Sequence, residues 1–301
     1  MGGFVIGIDV GGTKVALAAA DLTGRRLAES RFSVREAGDA HDVLARTVAA
    51  ARGMADRLAG QHGPLRSVGA VSPGIVTEDR IRLAPNIPGW ETIQLRRTLC
   101  RALPTGTVRV ATDAKAAALA EATQGTLAGL GCGVFLNLGT GTSAAIVLAG
   151  QVLTGAHGAA GEIGYALVSP TDPGYSADRA PLEECFSGAG LAARASQLLG
   201  EPLTAADVFG RAPADQRLRK VLDDGLRVLG AHVAALVLAV DPARIAVGGG
   251  LAAAGKQLLD PLRATLQRAV PFPPELVVAR FRDDAPLAGA LQLAVDAARS
   301  A

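Results

Sequence analysis

FVIGIDVGGTKVALAAA, residues 4–20, holds two apolar runs around one glycine turn. Phe4 to Asp9 and Lys14 to Ala20 are short, rich in β-formers and joined at Gly11-Gly12, so they predict two antiparallel strands. Asp21-Leu22-Thr23-Gly24 is a second turn, and Arg26 to Val34 reads as a third strand that completes a meander. The first turn also has a chemical reading. Glycines at a hairpin tip let backbone N–H groups approach phosphate oxygens with no Cβ in the way. Thr13 and Lys14 can donate to the same oxygens. Asp9 can hold Mg2+ through water, because this ion takes few carboxylates and keeps much of its hydration. The other reading of Asp9 to Lys14 is an ordinary Gly-Gly hairpin with an edge lysine. It is not a Walker loop, since no helix follows and the spacing is wrong.

Beyond this hairpin, Asp39 can cap a long helix ending near Gly60 to Gly63. Ser67 to Ser72 is a short strand stopped by Pro73-Gly74, and a hairpin fits Ile75 to Leu83. Thr92 to Leu103 reads as a helix, Thr107 to Ala111 as a strand, and Asp113 opens an alanine-rich helix to about Thr126. A second cycle then begins. Val134 to Leu138, Ser143 to Ala149 and Gln151 to Thr154 form a new meander around Gly139-Thr140-Gly141-Thr142. The repeated order of strand, Gly/Thr turn, strand, turn, strand and helices indicates an internal duplication, too diverged for a solenoid. Ala214 to Val240 is mainly helical and Arg244 to Val247 a strand. Gly248-Gly249-Gly250 leads into a helix running to about Ala269, Leu276 to Phe281 is a strand, and Pro286 to Ser300 is an amphipathic helix. No linker is rich enough in Pro, Ser or charge to separate independent domains. The expected organisation is an N-terminal lobe over 1–112 and a C-terminal lobe over 113–285, with helix 286–301 packing back on the first.

Composition narrows the function classes. The 301 residues are 49% apolar and 19% charged, which excludes a disordered chain. A net charge of +2 offers no basic field for nucleic acid. Cys100, Cys132 and Cys185 are sparse and odd in number, against a disulfide scaffold and in keeping with a reducing cytoplasm. Met1 to Val10 lacks a basic n-region and is broken by Asp9, so no signal peptide is expected. Position 6 is Ile where a myristoylation signal wants Ser or Thr. The apolar run Val233 to Val240 is far shorter than the roughly 20 residues of a membrane span. A soluble cytoplasmic protein with no membrane partner is expected. One Trp, two Tyr and seven Phe disfavour a lectin that works by ring stacking. His41, His62, His157 and His232 show no metal-ligand spacing.

Other segments carry candidate chemistry, each beside a plainer reading. Gly139-Thr140-Gly141-Thr142 offers a second set of phosphate donors, or is a plain turn. Gly248-Gly249-Gly250 can lay a base and ribose against bare backbone, or is a tight strand-to-helix turn. Asp113, at a helix start, is favoured as the anion and can accept a proton from a substrate hydroxyl, or is an N-cap. Asn86, in a loop stiffened by Pro85 and Pro88, both donates and accepts, as a hydroxyl-rich ligand needs. Glu162 and Glu183 can each accept hydroxyl hydrogens from a polyol, or are solvated surface charges.

Taken in order along nearly the whole chain, these pieces resemble the ROK family of bacterial sugar kinases and sugar-responsive repressors. The quoted segments are Asp9 to Lys14, Ser72-Pro73-Gly74, Ala84 to Trp90, Thr112-Asp113-Ala114, Leu138 to Thr142, Gly161-Glu162-Ile163-Gly164, Leu182-Glu183 with Ser187-Gly188, and Gly248 to Gly250. The resemblance implies an actin/hexokinase-like (ribonuclease H-like) duplicated α/β fold, with two lobes around a central cleft. It implies ATP and Mg2+, with Asp113 as the base that deprotonates a primary hydroxyl attacking the γ-phosphate. Gly74, Asn86, Asp113, Glu162, Tyr165 and Glu183 would meet the sugar, and lobe closure would exclude water. A homodimer is common in such folds.

The chain departs from the family pattern at three places. Tyr165 stands where the family commonly has histidine directly after Gly-Glu-x-Gly. Between Gly164 and Glu183 there is neither cysteine nor histidine, so no zinc site is expected where the family commonly has a cysteine cluster. Thr112-Asp113-Ala114-Lys115 replaces the usual Asn-Asp-Ala-Asn. Tyr165 is larger than imidazole and lacks its second nitrogen, so a contact near the anomeric end is remodelled. A modified hexose, an amino sugar or a sugar-like C7-cyclitol then joins glucose among the expected substrates, and polyphosphate joins ATP as a possible donor. Family repressors carry an additional N-terminal helix-turn-helix region, and a first strand at Phe4 leaves no room for one. A non-catalytic sugar-sensing protein is the alternative.

Overall fold

The structure is a computed structural model that describes residues 2–77, 80–84, 87–282 and 284–300. In chain order the first elements are β1 (Phe4–Val10), β2 (Lys14–Asp21), β3 (Arg26–Ser33), α1 (Ala40–His62), β4 (Leu65–Ser72), β5 (Ile75–Val76) and β6 (Ile81–Arg82). Next come α2 (Leu95–Ala102), β7 (Val108–Thr112), α3 (Asp113–Gln124), β8 (Cys132–Leu138), β9 (Thr142–Leu148) and β10 (Gln151–Val152). The last are α4 (Pro181–Cys185), α5 (Gly188–Leu199), α6 (Ala205–Arg211), α7 (Gln216–Val240), β11 (Arg244–Gly248), α8 (Lys256–Ala269), β12 (Glu275–Val278) and α9 (Ala285–Arg299). The chain forms two compact units, Met1–Ala120 with Thr154–Ala159 and Asp284–Ala301, and Glu121–Leu153 with Ala160–Asp283.

The first unit is built on a sheet of order β3-β2-β1-β4-β7. The meander β1–β2–β3 is antiparallel, while β1, β4 and β7 run parallel. All of β1 is buried because strands flank it and helices cover both faces. Phe4, Ile6, Ile8 and Val10 share one core with Val43, Ala51 and Met54 of α1. Val5, with Ala16, Ala18 and Ala20 of β2, faces Leu287, Leu291, Ala294 and Val295 of α9. That face is lined with small residues because α9 lies almost on the strands. A Cβ on Gly69 would run into the Ala290 carbonyl, and Ser67 Oγ donates to the Ala294 carbonyl at 2.5 Å. Asp39 caps α1 as its sequence position predicts, accepting from His41 N and Asp42 N at 2.8 and 3.0 Å.

The second unit repeats the plan with a sheet of order β10-β9-β8-β11-β12. β8, β9 and β10 form the antiparallel meander, and β8, β11 and β12 are parallel. Leu218, Leu222, Leu226, Leu229, Val233 and Val237 recur every three or four residues along α7 and fill the core beside the sheet. Some boundaries differ from the sequence reading. The helix expected directly after Gly250 is a 3-10 turn over Gly250–Ala254, and α8 starts only after Gly255, whose φ of 56° interrupts the helix. The strand expected to reach Phe281 ends at Val278, and the helix expected from Thr92 begins at Leu95 after a 3-10 turn. The sequence reading assigns none of α4, α5 and α6. They are short, and α5 opens on Gly188-Ala189-Gly190, which reads locally as a turn. The Thr204/Asp207 capping box at α6 is a local signal that marks one of them. Among the described residues no helix is long and apolar enough to cross a membrane.

Candidate active site

The residues singled out by sequence gather at the carboxyl ends of the parallel strands in each unit. In the first unit the register pairs Asp9 with Val71 and Ser72 with Thr112. Asp9, Ser72 and Asp113 therefore leave the sheet at one edge, where open α/β sheets collect ligands. Asp9 is 8% exposed. Its pKa is raised to about 7, first by burial, then by the charge of Asp113, with Asp284 adding and Lys14 and Arg31 opposing. Asp113 is the first residue of α3, and its Oδ1 accepts from Ala114 N at 2.7 Å. The residue is exposed as a whole, while the protein massed around its carboxyl desolvates that group and raises its pKa. The Ala114 N–H and the positive charge of Lys115 oppose that rise. Lys115 is itself buried at 6% exposure. Thr112 Oγ1 accepts from Lys115 N at 3.3 Å and helps start the helix.

Around these carboxylates, Gly11 N donates to the Lys14 carbonyl at 2.9 Å and closes the first turn. Thr13 and Lys14 are exposed at its tip. Gly74 adopts φ +83°, and a Cβ there would sit 3.0 Å from Ala84 Cβ, so glycine is required on both counts. The fully buried Trp90 donates its Nε1–H to Ser72 Oγ at 2.8 Å and fixes the end of β4. Asn86 lies outside the described residues. Two charged neighbours of Asp9 escaped the sequence reading. Arg31 pairs with Ala16 across the sheet, and Ala16 pairs with Asp9. Asp284 precedes α9 and is held by Arg26, with Arg31 at 3.7 Å. Only the strand register reveals Arg31, and only the return of α9 brings in Asp284.

In the second unit four separated segments meet at the end of β8. Thr142 N donates to Glu183 Oε2 at 2.9 Å, and Thr142 Oγ1 donates to the Phe186 carbonyl at 2.5 Å. Both groups of Thr142 are thus engaged within the unit, while Thr140 is exposed at the tip of the turn. A Cβ on Gly141 would strike the Glu183 carboxylate, with Cδ at 3.1 Å. A Cβ on Gly164 would lie 2.6 Å from the Thr142 carbonyl oxygen and 3.3 Å from Glu183 Cβ. The turn carrying Glu162 and Tyr165, both half-buried, is therefore pressed against the same point. Gly249, at φ +82°, has no room for a side chain either, since a Cβ would sit 2.7 Å from Gly139 N. The register Asn137↔Gly248 brings that loop beside the Gly139 turn. The start of α5 closes the group, with Gly188 N donating to the Gly139 carbonyl at 2.8 Å and Ala189 N to that of Thr140 at 3.1 Å. Among the described residues no group of three or more His, Cys, Asp or Glu is arranged to hold a metal ion.

A twice-repeated five-stranded sheet with acidic and glycine-rich segments at its strand ends defines the actin/hexokinase-like α/β class. Within it, the chain belongs to the ROK family, whose model matches residues 5–297. It is 32% identical over 282 residues to a glucokinase of Halalkalibacterium halodurans, covering 86% of this chain and 83% of that protein. It is 31% identical over 300 residues to an N-acetylmannosamine kinase of Shigella boydii, covering 96% and 97%. Among solved structures, a ROK family glucokinase from Streptomyces griseus in complex with glucose and AMPPNP matches with a TM-score of 0.77 at 27% identity, over 98% of this chain and 100% of that one.

Proposed function

We propose that this sugar kinase uses ATP to phosphorylate a primary hydroxyl of a hexose or hexose-like polyol, with Asp113 as the general base. The observation that carries the reading is Asp113 at the start of α3, open to solvent and close enough to Asp9 for their charges to interact. A raised pKa makes the Asp113 carboxylate a better proton acceptor, and proton transfer of this kind contributes about 10²- to 10⁴-fold. The hydroxyl oxygen, its proton passing to Asp113, attacks the γ-phosphorus of ATP, the bond from that phosphorus to the β,γ-bridging oxygen breaks, and ADP leaves. The mutual repulsion of Asp9 and Asp113 is the electrostatic condition that a divalent cation relieves, and one or two carboxylates suit Mg2+. Asp9 would hold that ion through water, and bound Mg2+ would neutralise phosphate charge.

Gly11, Gly12, Thr13, Lys14, Gly139, Thr140 and Gly141 are assigned to the phosphates, with Thr142 shaping the second turn through its bonds to Glu183 and Phe186, and Gly248, Gly249 and Gly250 are assigned to the nucleoside. The start of α5 fixes the Gly139 turn from behind, its first two N–H groups donating to the Gly139 and Thr140 carbonyls. Gly74, Asn86, Glu162, Tyr165 and Glu183 are assigned to the sugar. Relatives that act on glucose and on N-acetylmannosamine support an acceptor range running from hexoses to amino sugars, and Tyr165 extends it to cyclitols. A coupled ADP-release screen over hexoses, amino sugars and cyclitols, with ATP and polyphosphate compared as donors, tests the reading. At least one acceptor is turned over with ATP, and Asp113→Asn lowers kcat about 10²- to 10⁴-fold with an unchanged melting temperature. Absence of turnover on every acceptor, or full activity in Asp113→Asn, overturns it.

A further inference from the structure

We propose that Tyr175 is a specificity-determining positioning residue that orients the ring of Tyr165 against the bound sugar. The inference rests on the sugar-site assignment of Tyr165 made above. The chain has only two tyrosines, and they meet edge to face, with centroids 5.9 Å apart and planes at 87°. That geometry places the positive edge of one ring on the negative face of the other. Tyr175 is 58% exposed, so burial explains little of its placement.

The backbone on both sides of the pair is fixed. On the Tyr165 side, the 3-10 turn Ile163–Tyr165 is pinned because Gly164 abuts the Thr142 carbonyl. On the Tyr175 side, the 3-10 turn Gly174–Ala177 is held by Gly174 N to Asp172 Oδ1 at 3.0 Å and by Ser176 Oγ to the Pro173 carbonyl at 2.6 Å. Leu167 covers Gly174 so closely that a Cβ there would lie 2.5 Å from Leu167 Cδ2. Arg179 then ties the segment to Glu184, next to Glu183, at 2.5 Å, and to Asp172 at 3.5 Å. With both turns held by these contacts, the edge-to-face Tyr175 ring restricts the rotation of the Tyr165 side chain. A sugar that binds against an already oriented ring is spared the cost of ordering it.

The test compares the full-length wild type with Tyr175→Ala and Tyr175→Phe, measuring sugar KM, ATP KM, kcat and melting temperature. Tyr175→Ala raises the KM of the preferred sugar about two- to tenfold, the range of an edge-to-face pair. Its kcat, ATP KM and melting temperature stay at wild-type values, and its ratio of kcat/KM between glucose and N-acetylmannosamine moves toward one. Tyr175→Phe keeps the ring and restores the wild-type sugar KM. An unchanged sugar KM in Tyr175→Ala, no rescue by Tyr175→Phe, or an equal rise in ATP KM overturns the proposal. A wild type that phosphorylates no acceptor overturns the kinase reading separately. Calorimetric glucose and N-acetylmannosamine binding to the same three proteins then reads the Tyr175 effect directly, and equal affinity, or no binding, in wild type and Tyr175→Ala overturns it.

Discussion

Gly141→Ala is a small change aimed at the junction between the turn assigned to the phosphates and Glu183, the carboxylate assigned to the sugar. Gly141 is not among the positive-φ glycines, so alanine brings no backbone strain. Its methyl group would instead overlap the Glu183 carboxylate, with Cδ at 3.1 Å. A side-chain end can swing aside, but doing so breaks the 2.9 Å hydrogen bond from Thr142 N. Thr142 is only 3% exposed, so water replaces the lost acceptor poorly. A hydrogen bond to a charged group is worth about 1.5–3 kcal/mol, so the working orientation of Glu183 becomes unfavourable by that amount. At about 1.4 kcal/mol per decade, kcat/KM for the sugar falls about ten- to a hundredfold. Gly139→Ala is the control, since its Cβ would lie 3.7 Å from Asn137 Oδ1, an ordinary contact. It leaves the melting temperature and sugar KM unchanged and raises the ATP KM, because the new methyl sits on the turn assigned to the phosphates. Steady-state kinetics with each substrate varied in turn, plus thermal melting, separate the two variants. A folded Gly141→Ala protein whose sugar kcat/KM stays within twofold of wild type refutes this account of Glu183, as does an identical kinetic profile for both variants.

Asp9→Asn should abolish phosphoryl transfer yet raise the melting temperature at pH 8 without divalent cations. A folded pKa of about 7 against the ordinary 3.8 means that the stability Asp9 contributes is present below about pH 4 and is lost as pH rises through 7. Asparagine escapes that loss, by at most about 4 kcal/mol at pH 8, and the gain vanishes near pH 4. The same gain at both values would show that the carboxyl is not the cause. Gly69→Ala drives a methyl into the Ala290 carbonyl and forces α9 off the sheet, straining the Ser67 bond to Ala294. Overpacking and a weakened buried hydrogen bond together cost about 2–4 kcal/mol, seen as a melting temperature roughly 5–15 °C lower. A variant melting within 2 °C of wild type would mean that α9 has slack the packing does not show.

Much of this protein could be read before any coordinates. The hairpin at Asp9 to Lys14, the cap at Asp39, the strand-to-helix junction at Asp113 and the second meander around Gly139 are local events. Turn residues, capping side chains and hydrophobic period specify them within a few positions. The duplication could be seen for the same reason, since two similar strings of local signals imply two similar sheets. α4 and α6, of five and seven residues, were not legible because fewer than two turns leave little period to detect, and α5 opens on Gly188-Ala189-Gly190, which reads as a turn.

The amino-acid order by itself determined the element types, the repeat and the cast of acidic and glycine-rich residues, because neighbours along the chain carry that information. Their working relations were decided only by tertiary structure. Glu183 grips Thr142, Gly249 presses on Gly139, Tyr175 props Tyr165, and Arg31 and Asp284 set the field at Asp9. Each relation joins residues from different strands, turns or helices. Hydrogen-bond distance, desolvation and charge repulsion depend on separation in space, and folding supplies the closeness that the linear chain leaves open.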